Sequence, residues 1–191
     1  MLLNINSIRE CSKSEGIGKR FAIWTQGCMK RCRNCCNTHM QPIIKKHIID
    51  CDDIIEQIKY SKENYHIEGI TLLGGEPILQ SKGLAYIAKW CRENNLSVIL
   101  FSGYTLEEIN ASNFDRALEL LKYTDVLIDG EYIDELYDEE RGFIGSSNQK
   151  IYFFTDVYTQ KDFDNYKGYI SLELIIDNNT IKINGWPSNF K

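Results

Sequence analysis

Four of the chain's cysteines crowd into nine residues, in the run Gly27-Cys28-Met29-Lys30-Arg31-Cys32-Arg33-Asn34-Cys35-Cys36-Asn37. Cys28, Cys32 and Cys35 form a Cys-x3-Cys-x2-Cys pattern, which puts three thiols on one short loop. Thiolates are the ligands of iron–sulfur clusters, and a [4Fe–4S] cluster normally takes four. Three ligands leave one iron open to a substrate, as an open position separates catalytic from structural zinc. The amino and carboxylate groups of a methionine moiety would chelate such an iron. Lys30, Arg31 and Arg33 stand between the ligands and could offset the negative charge of the thiolates. The competing reading is zinc, which favours paired Cys-x2-Cys elements and four ligands. No second pair is present, but His39 is close enough for a Cys3His count. Counting also leaves the register open, because Cys36 could replace Cys35 as third ligand or act as a fourth. Cys11, Cys51 and Cys91 read as buried small hydrophobes. His39, His47 and His66 are scattered and complete no Ser/His/Asp set.

A second chemical feature is Gly74-Gly75-Glu76-Pro77. Two glycines let a backbone approach a ligand closely, and the proline fixes the chain's exit. Apolar periodicity indicates the elements that must position both features. Strands are expected over Phe21–Thr25, Gly69–Leu73, Leu96–Ser102, Asp125–Asp129 and Lys150–Thr155. Helices are expected over Asp52–Glu63, Lys82–Asn94 and most of Leu106–Tyr123. Ser171–Asp177 and Thr180–Gly185 read as a hairpin around Asn178-Asn179, a turn-favouring pair. Strands separated by helices of this length imply parallel β-α-β units. A complete eight-unit barrel needs about 250 residues, and this chain has 191. The expected fold is therefore α/β, a partial, open β/α barrel with a C-terminal hairpin, as one domain over residues 1–191. Ligands of such sheets gather at the carboxyl ends of the strands. The cysteine loop, Gly74–Pro77, Ser102-Gly103-Tyr104 and Asp129-Gly130 all fall there.

Composition limits the partners. Hydrophobic residues make up 43% and charged residues 26%, with net charge −5 and pI near 5.3. An acidic chain lacks the basic face that phosphate contacts need, so no nucleic acid is expected. No apolar run reaches the length of a membrane span, and no basic segment precedes an apolar one at the N-terminus as in a signal peptide. Seven cysteines, an odd and clustered number, fit metal binding in a reducing cytoplasm better than a disulfide framework.

Cys28-x3-Cys32-x2-Cys35 resembles the cluster motif of the radical S-adenosylmethionine (SAM) superfamily. Gly74-Gly75-Glu76-Pro77 resembles its second motif, whose backbone hydrogen-bonds the methionyl amino group of SAM. Over most of the chain the sequence is similar to the activating enzymes of anaerobic (class III) ribonucleoside-triphosphate reductases. The resemblance runs through Gly16-Ile17-Gly18-Lys19-Arg20, the cysteine loop, Ser102-Gly103-Tyr104-Thr105-Leu106-Glu107-Glu108, Asp125–Gly130, Gly145-Ser146-Ser147-Asn148-Gln149 and Asn179-Thr180 through Gly185-Trp186-Pro187. In that family an aromatic and then Asn follow the third cysteine, so Asn37 sets the register: Cys35 is the third ligand and Cys36 stands in the aromatic's place.

The resemblance implies a [4Fe–4S] cluster on Cys28, Cys32 and Cys35, reduced by a flavodoxin or ferredoxin. It implies reductive cleavage of SAM and a glycyl radical on a partner reductase, with no catalytic side chain because cluster and SAM carry the chemistry. Gly74, Gly75, Glu76, Pro77, Ser102, Gly103, Tyr104 and Asp129 are the expected cofactor-binding residues, Asp129 as an acceptor for ribose hydroxyls or merely as the opening of a turn. Gly145–Gln149 would serve SAM, the partner or a strand end. The alternative is a short radical SAM enzyme acting on a small molecule or peptide, of the 7-carboxy-7-deazaguanine synthase kind.

Overall fold

The computed structural model of the chain describes residues 1–166, 172–177 and 180–185. Nine strands are found there: β1 (Leu2–Ser12), β2 (Arg20–Thr25), β3 (His47–Asp50), β4 (Gly69–Gly74), β5 (Ser97–Phe101), β6 (Val126–Asp129), β7 (Lys150–Phe153), β8 (Leu172–Asp177) and β9 (Thr180–Gly185). The first seven form one sheet in the order β3-β1-β2-β4-β5-β6-β7. Its middle, β2-β4-β5-β6, is parallel, as expected. The expected strands over 21–25, 69–73, 96–102, 125–129 and 150–155 are all present within a residue or two.

Each central strand buries both faces, the mark of a parallel sheet covered on both sides. Phe21 and Ile23, Ile70 and Leu72, Val98 and Leu100, and Leu127 point to one side. That side is covered by α1 (Cys51–Tyr65), α2 (Ser81–Glu93), α3 (Leu106–Ala111) and α4 (Ala117–Lys122). Asp50 caps α1 by accepting from the Asp52 amide, and Asp52 and Asp53 occupy its first turn. The expected face of α2, Leu84, Ile87, Ala88 and Cys91, is buried throughout. Ala22, Trp24, Leu73 and Phe101 turn to the opposite side of the sheet.

Three differences from expectation have local causes. Leu106–Tyr123 is two six-residue helices. Ser112, Asn113 and Asp115 lie between them, residues whose side chains compete for the backbone, and Arg116 takes a left-handed φ of 61°. The edges of the sheet are antiparallel, since β1 pairs with β2 and β3, and β6 with β7. The eleven-residue β1 was not expected at all: it buries Leu3 and Ile5, but Asn4, Asn6 and Ser7 dilute the apolar signal. The hairpin forms from β8 and β9 as expected. Ser171, the Asn178-Asn179 turn and Trp186-Pro187 lie outside the described residues.

At the amino end of the parallel strands, Arg20 is fully buried. Its guanidinium donates to Thr71 Oγ1 (3.2 Å), Ser97 Oγ (2.7 Å), the Ser97 carbonyl (3.1 Å), the Tyr158 hydroxyl (2.9 Å) and the Ile70 carbonyl. Gly69 leaves the room for it, because a Cβ there would stand 2.5 Å from Nη1. Arg20 thus ties β2, β4 and β5 together at the end away from the cysteine loop. Burial lowers its pKa, yet five hydrogen bonds satisfy a cation that would otherwise be costly to bury.

Candidate functional site

β2 ends at Thr25, and the chain passes through Gln26 and Gly27 into the cysteine loop. β4 ends at Gly74 and enters the glycine turn. The two features are stitched by backbone hydrogen bonds, Gly75 N–H to the Thr25 carbonyl (2.9 Å) and Glu76 N–H to the Gly27 carbonyl (2.8 Å). Gly74 has φ +113°, in the region that favours glycine, and a Cβ on it would meet Thr25 N at 2.4 Å. A Cβ on Gly75 would meet the Gly27 carbonyl oxygen at 2.4 Å and the Met40 oxygen at 2.9 Å. The second glycine is therefore demanded first by the chain's own backbone.

Glu76 is buried and ties this turn to the next strand end. Its carboxylate accepts from Ile78 N–H (3.0 Å), Ser102 Oγ (2.9 Å) and Gly103 N–H (2.8 Å). Burial pushes its pKa up to about 7 against those donors. Pro77 opens a short 3-10 turn, Pro77–Gln80, capped by the same Glu76. Tyr104 lies behind the rim, edge-on to Phe114 at 5.0 Å between ring centroids, with Lys30 Nζ 4.5 Å above its ring. Lys30 also donates to both carboxylate oxygens of Glu108 (2.9 and 3.0 Å), and Glu108 completes a capping box with Thr105 at the start of α3. Burial opposes the Lys30 charge, and this ion pair outweighs it, so its pKa is raised. The lysine expected to offset the thiolates is thus engaged with α3. Asp129 is 1% exposed and accepts from Leu106 N–H (2.5 Å). Its carboxylate holds α3 against the sheet, which matches the turn-opening reading better than an outward-facing acceptor.

Cys28, Cys32, Cys35 and Cys36 all line one cavity of about 700 Å³ on the face of the sheet away from the helices. Gly74, Gly75, Glu76, Ser102 and Gly103 line it as well, over a floor of Trp24, Leu73, Phe101 and Ile128. Cys35 is the thiol most readily ionised: the Cys36 thiol donates to it, and the Asn37 amide (3.4 Å) and Gln41 side chain add to this, lowering its pKa to about 6. Cys36, the donor, is solvent-exposed and shifted far up. Burial raises Cys28 and pushes Cys32 up to about 11. Asn37 also donates from Nδ2 to the Gly74 carbonyl (3.4 Å), so the residue after the cysteine pair joins loop to turn.

Among the described residues no three His, Cys, Asp or Glu side chains converge as they do around a single ion. The ligands of a cube bind separate irons, so they stand around a cluster instead of a point. A three-thiol loop opening on a cavity of this size fits that group.

Gln149 closes the far wall. Its Oε1 accepts from Gly145 N–H (2.9 Å) and Ser146 N–H (3.1 Å), and its Nε2 donates to the Gly130 carbonyl (2.8 Å). Asn148 Nδ2 donates to the Glu131 carbonyl (2.8 Å). The Gly-Ser-Ser-Asn-Gln block thus fixes the loop after β6, and Gly145 and Gln149 face the cavity. Sequence spacing missed Arg9, Glu15, Tyr132, Phe143, Asn184 and Gly185, which also line it. These come from β1, two loops and the hairpin, and only the tertiary fold brings them together.

Residues 14–152 match a family described as a 4Fe-4S single cluster domain. The chain is 33% identical over 149 residues to an anaerobic ribonucleoside-triphosphate reductase-activating protein of Pasteurella multocida, spanning 73% of this chain and 90% of that protein. It is 28% identical over 158 residues to the protein of the same description in Enterobacteria phage T4, spanning 81% and 96%. A crystal structure of QueE from Escherichia coli superposes with TM-score 0.47 at 19% identity, over 55% of this chain and 54% of that one.

Proposed function

The chain belongs to the family of anaerobic ribonucleoside-triphosphate reductase-activating proteins, and from that premise we propose how its residues perform the activation. The observation that carries the reading is the meeting of the cysteine loop and the glycine turn on one cavity. Cys28, Cys32 and Cys35 hold the [4Fe–4S] cluster, and Cys36 orients Cys35. Gly74, Gly75, Glu76, Ser102 and Gly103 line the SAM side of the cavity, and Pro77, Tyr104 and Asp129 support them from behind. The glycines offer backbone to the ligand, while Glu76, Ser102, Tyr104 and Asp129 hold the strand ends in register. When bound, the cluster would supply the electron for reductive cleavage of SAM, the chemistry from which a glycyl radical on the partner reductase would follow.

The chain's own part is to bind, align and shield. Trp24, Leu73, Phe101 and Ile128 give an apolar floor that keeps water from the reacting atoms. No side chain is asked to move a proton. The whole chain acts as one radical SAM domain in the reducing cytoplasm, with a flavodoxin or ferredoxin as electron donor. Its acidic net charge supports a protein partner over nucleic acid, and no helix among the described residues is long and apolar enough to cross a membrane.

The test is anaerobic reconstitution with iron and sulfide, then dithionite and SAM. 5′-Deoxyadenosine should form, and a glycine-centred radical should appear by electron paramagnetic resonance on adding the cognate reductase. Cys28→Ala, Cys32→Ala and Cys35→Ala should each abolish SAM cleavage, while Cys36→Ala keeps its iron. Loss of iron in Cys36→Ala with Cys35→Ala unaffected would reverse the ligand register.

A further inference from the structure

The cysteine loop is closed by the residues that follow it. After Asn37 the chain makes a 3-10 turn, Thr38–Met40, held by Met40 N–H to the Asn37 carbonyl (2.8 Å) and Gln41 N–H to the Thr38 carbonyl (3.2 Å). The turn carries the chain back beside the start of the loop. There Gly27 N–H donates to the Met40 carbonyl (2.8 Å) and Cys28 N–H to the Gln41 carbonyl (3.0 Å). Pro42 follows, and its carbonyl accepts from Gln26 Nε2 (2.6 Å). The backbone on both sides of Gln41 is thus pinned without help from the glutamine side chain.

That side chain is half-buried and faces the cavity among the cysteines. Its Nε2 donates to the Cys32 carbonyl (3.5 Å), and the same amide group donates to the Cys35 sulfur. With its own carbonyl on the Cys28 amide, Gln41 touches every one of the three ligand residues. The other nitrogen donors at these sulfurs are main-chain amides: Lys30 and Arg31 at Cys28, Tyr132 at Cys32 and Asn37 at Cys35. Hydrogen bonds to the sulfurs are among the factors that set the potential of an iron–sulfur cluster. Reduction adds negative charge that spreads onto the thiolates. An N–H aimed at a sulfur therefore binds the reduced cluster more strongly than the oxidised one.

We infer that Gln41 is a positioning residue that, through its side-chain N–H on Cys35, raises the reduction potential of the cluster and eases its one-electron reduction. The inference rests on the cluster assignment in the function proposed above. The loop would close without this side chain, so the donor is the contribution that remains to be explained.

The experiment uses the full chain reconstituted with iron and sulfide, without SAM or reductase. The potential is poised with dithionite and mediators, and the reduced cluster is counted by electron paramagnetic resonance. Gln41→Leu removes the donor at similar bulk, Gln41→Glu replaces it with a negative acceptor, and Gln41→Lys keeps a donor. The potential of Gln41→Leu should fall by about 59 mV, a tenfold change in a one-electron equilibrium. Gln41→Glu should fall further, and Gln41→Lys should match or exceed the wild type. Iron content should stay at the wild-type level in all of them, because the backbone holds Cys28. A wild-type potential in both Gln41→Leu and Gln41→Glu would overturn the inference. So would loss of iron from Gln41→Leu, which would make the side chain a structural part of the loop. A wild type that assembles no [4Fe–4S] cluster would overturn the functional reading itself, whereas a full cluster with an unmoved potential overturns this inference alone.

Discussion

At the scale of single residues, Glu76, expected as a cofactor-binding residue, spends its carboxylate on the protein's own strand ends. Its three accepted hydrogen bonds join the glycine turn to the Ser102-Gly103 strand end, so the residue sets the distance between two walls of the cavity. Its pKa of about 7 lies above the ordinary 4.5, and the sign of the linkage follows. The folded chain holds a proton on Glu76 more tightly than the unfolded chain. The stability this adds is complete below 4.5 and is lost as pH rises through 7. Urea unfolding of the metal-free protein across that window should lose about 3 kcal/mol through this group. Glu15, also raised to about 7 by burial, contributes with the same sign. Glu76→Gln should flatten the profile by its own share and leave that of Glu15. A variant profile parallel to the wild type would show that Glu76 does not titrate as described.

At the scale of elements, the site is made by turns that lock onto one another. Gly75→Ala would drive a Cβ against the Gly27 and Met40 carbonyls, backbone atoms that cannot swing aside. Overpacking of this kind costs about 1–3 kcal/mol. Because Gly27 leads straight into Cys28, iron content after reconstitution should fall along with stability. Full iron loading with normal unfolding would contradict the packing described. The start of α3 is a second lock, where Glu108 both caps the helix and holds Lys30 of the cysteine loop. An ion pair this exposed is worth about 1 kcal/mol or less, so Glu108→Gln should barely move global stability. It should instead speed hydrogen exchange at the Thr105 and Glu108 amides, since the capping box weakens first. Unchanged exchange there would mean that the cap does not depend on the carboxylate.

At the scale of the whole molecule, most of the chemistry was legible because it is local. Three thiols on one loop, two glycines after a strand, and parallel strands whose carboxyl ends form one rim follow from spacing and period. Asn37 was legible as a register mark, and it does bridge the loop to Gly74. What spacing could not reveal depends on distant partners. The strand β1 carries too few apolar residues to announce itself and is recognisable only through its pairing with β2 and β3. The wall residues Arg9, Glu15, Asn184 and Gly185 come from opposite ends of the chain. Lys30 lies between two cysteines and reads as counter-charge, but Glu108 lies 78 positions away, and no local pattern announces that pair. The helix break at Ser112–Arg116 was written in its Ser, Asn and Asp residues and was outweighed by the apolar period on either side. Among the described residues the outcome is a sheet that begins at β3 and ends at β7 without the two meeting. A closed tube admits only what can be threaded through its mouth, end first. A trough can be filled from the side by a bend in the middle of another chain and emptied the same way. The reacting residue of the partner need not lie at a terminus, and one activator can leave a finished partner intact and serve the next.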